Sequence, residues 1–447
     1  MAENRHAVTK ARVEAEYRRR TPGSAALHEA AKRVIPGGES RTAAYFSPYP
    51  LFMEQGEGCR LTDVDGNRYV DFLNNYTSQI HGHANPLITE AVSRQIAKGT
   101  AYASSVESQL RLAEEICRRV PSVELVRFAN SGTEATMYAI RAAKGFTGRN
   151  KILKMEGGYH GTHDAALVSF APSLDLAGEA ESPNSVPSSG GLFKGVVDDI
   201  VVAPFNNIEA TARIIERHKK DLAGVIVEPV MGGAGTVPAR PEYLRFLREA
   251  TEACGAMLIF DEVITFRLAY GGAQEAYDVK PDLTALGKII GGGLPVGALG
   301  GRADLMDLFD SRRPQLYQTG TFSGNPATMV AGLASLELLT TEKIARLNEL
   351  GEHMRRGLGD ALAEVGIEGQ VTGMGSLMAV HFIQEPVTDY RSAARADKEL
   401  ASLLHLSLLN RGIFTSPRGF ICLSTPMEKK EVDEAIRTFT EALTGMQ

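Results

Sequence analysis

Seven short apolar runs alternate with longer amphipathic stretches between Glu124 and Gly301, and this alternation limits the fold of the 447-residue chain more than any other feature. A run of four to eight apolar residues bounded by turn signals predicts a buried strand. Strands that alternate with helices build a mostly parallel sheet covered by helices. We therefore predict an α/β fold with strands at 124–129, 151–156, 200–205, 224–230, 256–261, 282–287 and 296–301, and helices at 133–146, 206–218 and 241–253.

The flanking regions carry other patterns. Residues 1–23 are polar and are expected to form an exposed helix or arm that Pro22-Gly23 ends. Residues 51–72 alternate apolar and polar side chains around Asp65-Gly66, which predicts an antiparallel hairpin. Helices are expected at 24–34, 86–98, 105–119, 323–339, 342–365, 392–410 and 428–443, and short strands at 375–382 and 420–426.

These patterns divide the chain into three parts. Residues 1–70 are expected to supply an N-terminal arm and part of a small domain, residues 71–335 a large domain, and residues 336–447 the C-terminal part of the small α+β domain. A stretch rich in Ser, Pro and Gly between Ala171 and Val196 is long for a loop. Its length suggests a lid or a subunit contact.

Composition argues against several classes of protein. The chain has 48 Lys and Arg against 54 Asp and Glu and no basic tract, so no nucleic-acid partner is expected. No apolar stretch of about 18 residues predicts a membrane span, and the charged N-terminus lacks the apolar centre of a signal peptide. Four widely spaced cysteines indicate reduced thiols in a cytoplasmic protein. His81 and His83 have no third ligand nearby, so no metal site is predicted.

Two charged residues stand where buried strands are predicted to end. Asp261 closes the run AMLIFD, and Lys288 follows the run DLTALG and precedes the glycines at 291–293. A charge is costly in a core without a partner, whereas ligands bind at the carboxyl ends of strands in an open α/β sheet. Burial lowers the pKa of a lysine and makes its amine a better nucleophile and base. Asp261 and Lys288 are therefore candidate ligand-binding and reactive groups.

Three further segments follow predicted strands. Residues 130–134 (NSGTE) begin a helix and could cradle a phosphate, although a plain N-cap explains them as well. Tyr159, which follows two glycines, can lie flat on a planar ligand or form a turn with a half-buried ring. Glu228 either contacts a ligand or pairs with a neighbouring arginine. A phosphate cradle, an aromatic plate, an acid and an amine are together what pyridoxal phosphate requires.

Five motifs, in the same order along the chain, resemble those of the fold-type I pyridoxal-phosphate enzymes and more narrowly the class III aminotransferases. They are NSGTEA (130–135), GGYHG (157–161), FDEV (260–263), LGKIIGGGLPVGALGG (286–301) and GTFSGNP (320–326). The similarity extends over roughly residues 25–445 and is specific because five motifs occur together. It implies a large domain with a mostly parallel sheet covered by helices and a small α+β domain built from both termini.

The resemblance also implies a role for each motif residue. Lys288 would be the Schiff-base lysine and the proton carrier, and Asp261 would pair with the pyridine nitrogen. Tyr159 would stack on one face of the cofactor ring and Val263 on the other. The remaining cofactor contacts would come from Ser131, Gly132, Thr133, His160, Glu228 and, from the neighbouring subunit of a homodimer with active sites at the interface, Thr321.

One position departs from the family pattern. Many class III members have EPVQG at the end of a strand, with Gln contacting the 3′-oxygen of the cofactor. This chain has EPVMG, with Met231 at that position. We expect the contact to be lost or replaced.

Two groups within the class resemble the chain. One is the glutamate-1-semialdehyde 2,1-aminomutases, which are similar along most of the cofactor domain. The other is the β-phenylalanine aminotransferases, which resemble it in SPRGF (416–420) and PGGESR (36–41). In the second group an arginine at the place of Arg41 binds a carboxylate, so Arg41 is expected to bind the carboxylate of a β-amino acid. We further assign Arg418, on a glycine-flanked loop, to the second carboxylate of 2-oxoglutarate, and Tyr76 to the side-chain pocket. Guanidinium groups suit these roles because they pair with carboxylates through two hydrogen bonds.

The expected reaction is a ping-pong transamination. A β-amino acid such as β-phenylalanine would donate its amino group, and 2-oxoglutarate or pyruvate would accept it. Three alternatives stay open: the aminomutase, which needs no acceptor; a broad amine (omega) transaminase, which would tolerate the loss of Arg41; and a catalytically silent protein of this fold.

Overall fold

The computed structural model describes residues 2–446, which divide into two compact units. The first unit contains the residues up to Asn85, the segment Leu347–Pro386 and the residues from Arg395 onward. The second unit contains Pro86–Arg346 and Val387–Ala394.

Helices and strands are numbered in chain order. The helices are α1 Ala2–Arg20, α2 Pro22–Ala31, α3 Pro86–Ile96, α4 Glu107–Arg119, α5 Gly132–Thr147, α6 Lys194–Asp199, α7 Ile208–His218, α8 Pro241–Cys254, α9 Ala273–Tyr277, α10 Ala303–Met306, α11 Pro326–Leu338, α12 Thr341–Val365, α13 Tyr390–Ala394, α14 Lys398–Leu409 and α15 Lys429–Thr444. The strands are β1 Met53–Glu57, β2 Arg60–Asp63, β3 Arg68–Asp71, β4 Leu125–Ala129, β5 Lys151–Met155, β6 Gly178–Glu179, β7 Ser182–Pro183, β8 Ile200–Ala203, β9 Leu222–Val227, β10 Val230–Met231, β11 Val237–Pro238, β12 Met257–Asp261, β13 Leu283–Gly287, β14 Gly297–Gly301, β15 Gln370–Met374, β16 Leu377–His381, β17 Ile413–Phe414 and β18 Phe420–Cys422. Short 3₁₀ turns occur at Pro36–Gly38, Thr42–Ala44, Thr265–Arg267, Lys288–Gly291 and Asp307–Phe309.

The second unit is built on a seven-stranded sheet with the order β4-β14-β13-β12-β9-β5-β8. The central strand β12 is parallel to β13 and β9, and β5 is parallel to β9 and β8. Strand β14 runs antiparallel to both of its neighbours, β13 and β4. Every residue of β9, β12 and β13 is buried, as strands covered on both faces require. The predicted α/β fold with a mostly parallel sheet is confirmed.

Small side chains let α5 approach this sheet closely. Ala139, Ala142 and Ala143 of α5 are fully buried. A Cβ atom placed on Gly224 of β9 would lie 3.2 Å from that of Ala143. The position of α5 matters because its N-terminus is the candidate phosphate site.

The first unit contains the predicted hairpin. Strands β2 and β3 pair antiparallel on either side of Asp65-Gly66, within a sheet of order β1-β2-β3-β17. The carboxylate of Asp63 accepts the backbone N–H groups of Asp65 at 3.0 Å and Asn67 at 2.8 Å, and Gly66 has φ +81°. These contacts fix the turn. A second sheet of order β15-β16-β18 comes from the C-terminal part of the chain.

Two expectations about helices were wrong. The N-terminal segment is not simply exposed, because Val13 and Tyr17 of α1 are buried and the Tyr17 hydroxyl donates to the Tyr49 carbonyl at 2.8 Å. The predicted break is present, since α1 ends at Arg20, and Pro22 begins α2, where a missing N–H is tolerated. The helix expected at 392–410 is two helices, because Asp397 caps a new helix, α14, by accepting from the N–H groups of Glu399 and Leu400.

His81 and His83 have separate partners rather than a shared one. Nε2 of His83 lies 2.7 Å from Oδ2 of Asp71, and Nδ1 of His81 lies 3.0 Å from Oγ1 of Thr425. Over residues 2–446, no group of three His, Cys, Asp or Glu side chains is arranged to hold a metal ion. A search of the same residues finds no helix with the length and apolar character needed to cross a membrane.

Candidate active site

Asp261 and Lys288 lie at the same edge of the seven-stranded sheet. Asp261 is the last residue of β12, and Lys288 directly follows the adjacent parallel strand β13, where Asp261 pairs in register with Ala285. Lys288 has φ +50°, a conformation that costs a residue with a side chain about 1–3 kcal/mol and persists only where the surroundings impose it. The sequence predicted this placement at the carboxyl ends of two strands.

The carboxylate of Asp261 is buried and accepts two hydrogen bonds. Oδ1 accepts from the backbone N–H of Val263 at 3.1 Å, and Oδ2 lies 2.9 Å from Nδ1 of His160. Burial lowers the pKa of His160, against the opposing effect of Asp261. The other ring nitrogen, Nε2, is buried and has no hydrogen-bond partner among the described residues. His160 is therefore a neutral imidazole that donates from Nδ1 to Asp261.

The N-terminus of α5 is capped by its own side chains. Oγ of Ser131 accepts from the N–H of Glu134 at 3.1 Å, and the Glu134 carboxylate accepts from the N–H of Asn130. The plain N-cap explanation is therefore realised. The N–H groups of Gly132 and Thr133 come first in α5, where a helix offers no acceptor of its own. These two donors and the positive end of the helix dipole suit an anion, so the cap and a phosphate cradle are compatible.

The side chain of Val263 packs between Gly132 at the N-terminus of α5 and Gly287 at the end of β13, directly before Lys288. A Cβ atom on Gly132 would lie 3.1 Å from both methyl groups of Val263, and one on Gly287 would lie 3.3 Å from a methyl group. Side chains at either glycine would push these elements apart. The glycines therefore let the N-terminus of α5, Val263 and the end of β13 approach one another.

Glu228 holds the loop that carries Tyr159. Its two oxygens accept the N–H groups of Tyr159 at 2.8 Å and Gly232 at 3.1 Å. Among the described residues these backbone donors take the place of the arginine partner considered from the sequence. Burial, together with the nearby charge of Asp261, raises the pKa of Glu228 to about 8. The ring of Tyr159 packs at 5.0 Å and 59° against Phe170.

Two titratable side chains near this loop were missed from the sequence, the buried Lys154 and the half-buried His163. Lys154 is almost fully buried in β5, where its Nζ donates to the carbonyls of Ala166 at 2.8 Å and Val168 at 2.7 Å. Burial lowers the pKa of Lys154 to about 7 and that of His163 to about 4. The lysine inside the run KILKME was a visible signal. Phe170 gave none, because its contact with Tyr159 depends on the path of a loop.

Thr321 and Met231 differ in exposure to solvent. Thr321 is exposed in the turn before α11, close in sequence to two exposed aromatic residues, Tyr317 and Phe322. Met231 is fully buried in β10, opposite Val237 of β11. A buried thioether cannot donate the hydrogen bond that the glutamine of many relatives provides.

The three predicted substrate residues come together within the first unit. Nη1 of the exposed Arg41 donates to Oδ1 of Asn75 at 2.8 Å, and the hydroxyl of Tyr76 donates to the carbonyl of Ala43. Burial raises the pKa of Tyr76, and the positive charges of Arg418 and then Arg41 oppose that rise. The phenol therefore lies within the electrostatic reach of both guanidinium groups.

Tyr76 is presented by an unusual stretch of backbone. Residues 74–77 have φ values of +50°, +47°, +53° and +78°, and none is a glycine. Such a left-handed turn costs about 1–2 kcal/mol per residue. It is held by the N–H of Thr77, which donates to the carbonyl of Leu73 at 3.2 Å, and by Nδ2 of Asn74, which donates to that of Cys422 at 2.9 Å. Strain of this kind concentrates at functional sites.

These groups fit pyridoxal phosphate. A helix N-terminus with free backbone donors suits a phosphate, and a buried carboxylate oriented by a neutral histidine suits a pyridinium nitrogen. The glycines at 132 and 287 leave room that a Cβ atom would fill. Lys288 supplies an amine at the same edge of the sheet.

Comparisons with known proteins agree with this fit. Residues 42–443 match the family model for class III aminotransferases. A glutamate-1-semialdehyde 2,1-aminomutase from Methanothermobacter thermautotrophicus is 43% identical over 94% of this chain and 99% of its own length. A β-phenylalanine transaminase from Variovorax paradoxus is 41% identical over 98% of each chain.

The solved structures include close matches in fold. An omega-transaminase from Sphaerobacter thermophilus superposes with a TM-score of 0.92 at 48% identity and covers 95% of this chain and 97% of its own. The family resemblance predicted from the five motifs is thereby confirmed. Class III aminotransferases use pyridoxal phosphate. The chain belongs to the class III aminotransferase family of pyridoxal-phosphate-dependent enzymes.

Proposed function

We propose that this enzyme transfers the amino group of a β-amino acid, such as β-phenylalanine, to 2-oxoglutarate or pyruvate by a ping-pong mechanism. The observation that carries the proposal is the cluster of Arg41, Tyr76 and Arg418 in the first unit. Two guanidinium groups beside one phenol suit a donor with one carboxylate and an acceptor with two. The name of the Variovorax relative, β-phenylalanine transaminase, supports the same donor.

The two arginines differ in how they are held, and this supports different roles. The guanidinium of Arg41 is tied to Asn75, so we assign it to the donor carboxylate. The Arg418 side chain is exposed, and the backbone N–H of Arg418 donates to Oγ of Ser416 at 3.2 Å. The next residue, Gly419, has φ +79°, and a Cβ atom there would lie 2.4 Å from the Val380 carbonyl oxygen. These contacts fix the backbone from which the exposed Arg418 side chain extends towards Tyr76. We assign this side chain to the second carboxylate of 2-oxoglutarate.

The cofactor would be held at the carboxyl edge of the large sheet. The N–H groups and hydroxyls of Ser131, Gly132 and Thr133 would bind its phosphate, and Tyr159 and Val263 would pack against the two faces of its ring. When bound, the cofactor supplies an electron-withdrawing ring that stabilises negative charge on the substrate carbon. We assign to Asp261 the pairing with the ring nitrogen. Because His160 donates as a neutral group, it orients that carboxylate without cancelling its charge.

Lys288 would have two tasks. Its Nζ would hold the cofactor covalently between turnovers and then take the proton from the substrate carbon. The strained backbone at Lys288 supports this assignment, since it fixes where the side chain begins. Glu228 would keep Tyr159 in position through the Tyr159 N–H group.

A second copy of the chain is proposed as the partner. Tyr317 and Phe322 are 75% and 60% exposed around Thr321, and no side chain of α3 (86–96, all described) is buried. Exposed apolar side chains in such number are expected to be covered by another protein surface. Thr321 would then reach the phosphate of the partner subunit's cofactor. Light scattering should give twice 48.2 kDa, and a fully active monomer would contradict the proposal.

The location and the other partners are proposed on simpler grounds. Cys59 and Cys422 are buried thiols and Cys117 and Cys254 half-buried ones, and all four are free in the described chain. Free thiols suit the cytoplasm, where the partners would be the amino donor and the keto-acid acceptor. Recovery of the native enzyme from a secreted or membrane fraction would contradict this.

A glutamate-1-semialdehyde 2,1-aminomutase is the second candidate function. Its specific support is the Methanothermobacter relative of that name. A broad amine transaminase is the third, supported by the Sphaerobacter structure named an omega-transaminase. A panel of donors and acceptors separates the three, because an aminomutase works without an acceptor and an amine transaminase accepts donors that lack a carboxylate. A purified protein that binds no cofactor would instead indicate a silent member of the fold.

A further inference from the structure

Residues Val387–Ala394 belong to the second unit, although the chain on both sides of them belongs to the first. We name these residues the strap. Its turn is fixed by Ser392, whose N–H donates to Oδ1 of Asp389 at 2.8 Å and whose hydroxyl accepts from the N–H of Thr388 at 3.0 Å. These hydrogen bonds fix the backbone of Tyr390 and Arg391, which lie between Asp389 and Ser392. Neither was singled out from the sequence.

Arg391 binds a buried carboxylate and three carbonyl groups. Its Nε and Nη2 donate to the two oxygens of Glu156 at 2.7 and 3.0 Å. The same guanidinium donates to the carbonyls of Ala177, Gly178 and Glu179 at 3.0, 2.8 and 3.3 Å. The Arg391 side chain is 14% exposed and that of Glu156 4%, so the pair is shielded from water. A planar guanidinium can make this many bonds at once, whereas a lysine cannot.

Tyr390 contacts Gly157, the residue that follows Glu156. Gly157 has φ +79°, and a Cβ atom there would lie 2.5 Å from Cβ, Cγ and Cδ2 of Tyr390. The Tyr390 hydroxyl donates to the carbonyl of Pro172 at 2.6 Å. The strap therefore contacts Glu156 and Gly157 on one side and the segment 172–179 on the other.

Both contacts of the strap, with Glu156 and Gly157 and with the segment 172–179, involve residues close in sequence to Tyr159 or to the residue that packs on it. Glu156 and Gly157 begin the loop that carries Tyr159, and the N–H of Gly157 donates to the carbonyl of Ser169 at 2.9 Å. Ser169 precedes Phe170, whose ring packs against Tyr159. The strap thus fixes the root of the Tyr159 loop and the segment that supports the Tyr159 ring.

We propose that Arg391 and Tyr390 are positioning residues for Tyr159, the ring that would stack on pyridoxal phosphate. The inference rests on the proposed role of Tyr159. Loss of Arg391 would leave the buried Glu156 carboxylate without its partner, and such a charge is strongly unfavourable. The Tyr159 loop would move to bring that carboxylate to water, and the fit of Tyr159 to the cofactor would be lost.

A double-mutant cycle on the full-length enzyme tests the proposal. The dissociation constant for pyridoxal phosphate is measured for the wild type, Arg391→Met, Tyr159→Leu and the double variant. We expect Arg391→Met alone to raise the dissociation constant about tenfold. When Tyr159→Leu is already present, Arg391→Met should raise the constant less than about twofold, because the effects of coupled residues are non-additive. The circular dichroism of the bound cofactor should change alike in both single variants. An equal effect of Arg391→Met in the two backgrounds overturns the proposal.

Further variants separate positioning from general destabilisation. Arg395→Met removes an exposed arginine just beyond the strap. It should change neither the dissociation constant for pyridoxal phosphate nor the circular dichroism of the bound cofactor. Arg391→Met combined with Glu156→Leu removes the uncompensated charge and should restore much of the affinity. Tyr390→Phe, which removes one hydroxyl, should alter the dichroism in the same direction as Arg391→Met. If Tyr159→Leu binds pyridoxal phosphate like the wild type, the proposed role of Tyr159 fails; if it binds weakly but the cycle is additive, only the role of the strap fails.

Discussion

Nδ1 of His160 lies 2.9 Å from Oδ2 of Asp261, and this hydrogen bond joins the loop after β5 to the end of β12. The imidazole is buried, and burial lowers the pKa of His160, so the ring orients the Asp261 carboxylate as a neutral donor. The second oxygen is held by the N–H of Val263. A carboxylate held at both oxygens offers a ring nitrogen one approach direction rather than several.

Replacement of His160 should weaken the enzyme without unfolding it. A hydrogen bond to a charged group contributes about 1.5–3 kcal/mol, which corresponds to roughly 10- to 100-fold in rate. His160→Leu should lower kcat/KM by that factor, as measured in steady-state transamination assays. His218→Leu, in the last turn of α7, is the matched control and should have no such effect. Unchanged kcat/KM in His160→Leu would contradict the orienting role.

Lys288→Ala should abolish turnover, because no other described amine stands at the end of β13. The purified variant should also lose the visible absorbance of covalently held cofactor. Lys288→Arg is the control that keeps the positive charge but lacks a reactive amine, and it should be as inactive. Measurable turnover in either variant would show that the covalent and proton-carrying roles belong to another group.

Substitution of Arg41 and of Arg418 should raise KM for different substrates. Arg41→Ala should raise KM for the β-amino acid about 10- to 100-fold, the loss expected for a charged hydrogen-bonded pair. Arg418→Ala should raise KM for 2-oxoglutarate by a similar factor. Pyruvate, which has a single carboxylate, is the control acceptor and should be little affected by Arg418→Ala. If Arg41→Ala affects only the acceptor, the two roles are reversed.

Lys154 predicts a pH dependence of stability. Its pKa falls from 10.5 to about 7 on burial, so the folded protein prefers the neutral amine. Between these values the unfolded chain binds more protons, and the wild type should therefore gain stability as pH rises, by up to about 1.4 kcal/mol per pH unit. Lys154→Met lacks this gain, so the difference in thermal midpoint between wild type and variant should shift in favour of the wild type from pH 7 to pH 9.5. A pH-independent difference would contradict the buried-lysine account.

Much of this architecture could be predicted because it depends on local patterns. The apolar runs before Asp261 and Lys288 identified β12 and β13. The acid and the amine, together with the helix start at 130–134 and Tyr159, indicated the cofactor. The buried face of α1 was not predictable, since Tyr17 is buried through its contact with Tyr49, far along the chain. The same reason applies to Arg391, whose partner Glu156 is distant in sequence. The left-handed turn at 74–77 contains no glycine, and its two asparagines, which tolerate positive φ, are only a weak signal for four successive left-handed residues.

The most direct test of the proposed reaction is a half-reaction without acceptor. Holoenzyme mixed with excess 3-amino-3-phenylpropanoate and no keto acid should release about one equivalent of β-keto acid per subunit and then stop, as a ping-pong mechanism requires. Addition of 2-oxoglutarate should restart turnover. An enzyme that forms no product from the β-amino acid but converts glutamate 1-semialdehyde continuously with no acceptor present would contradict the proposed reaction.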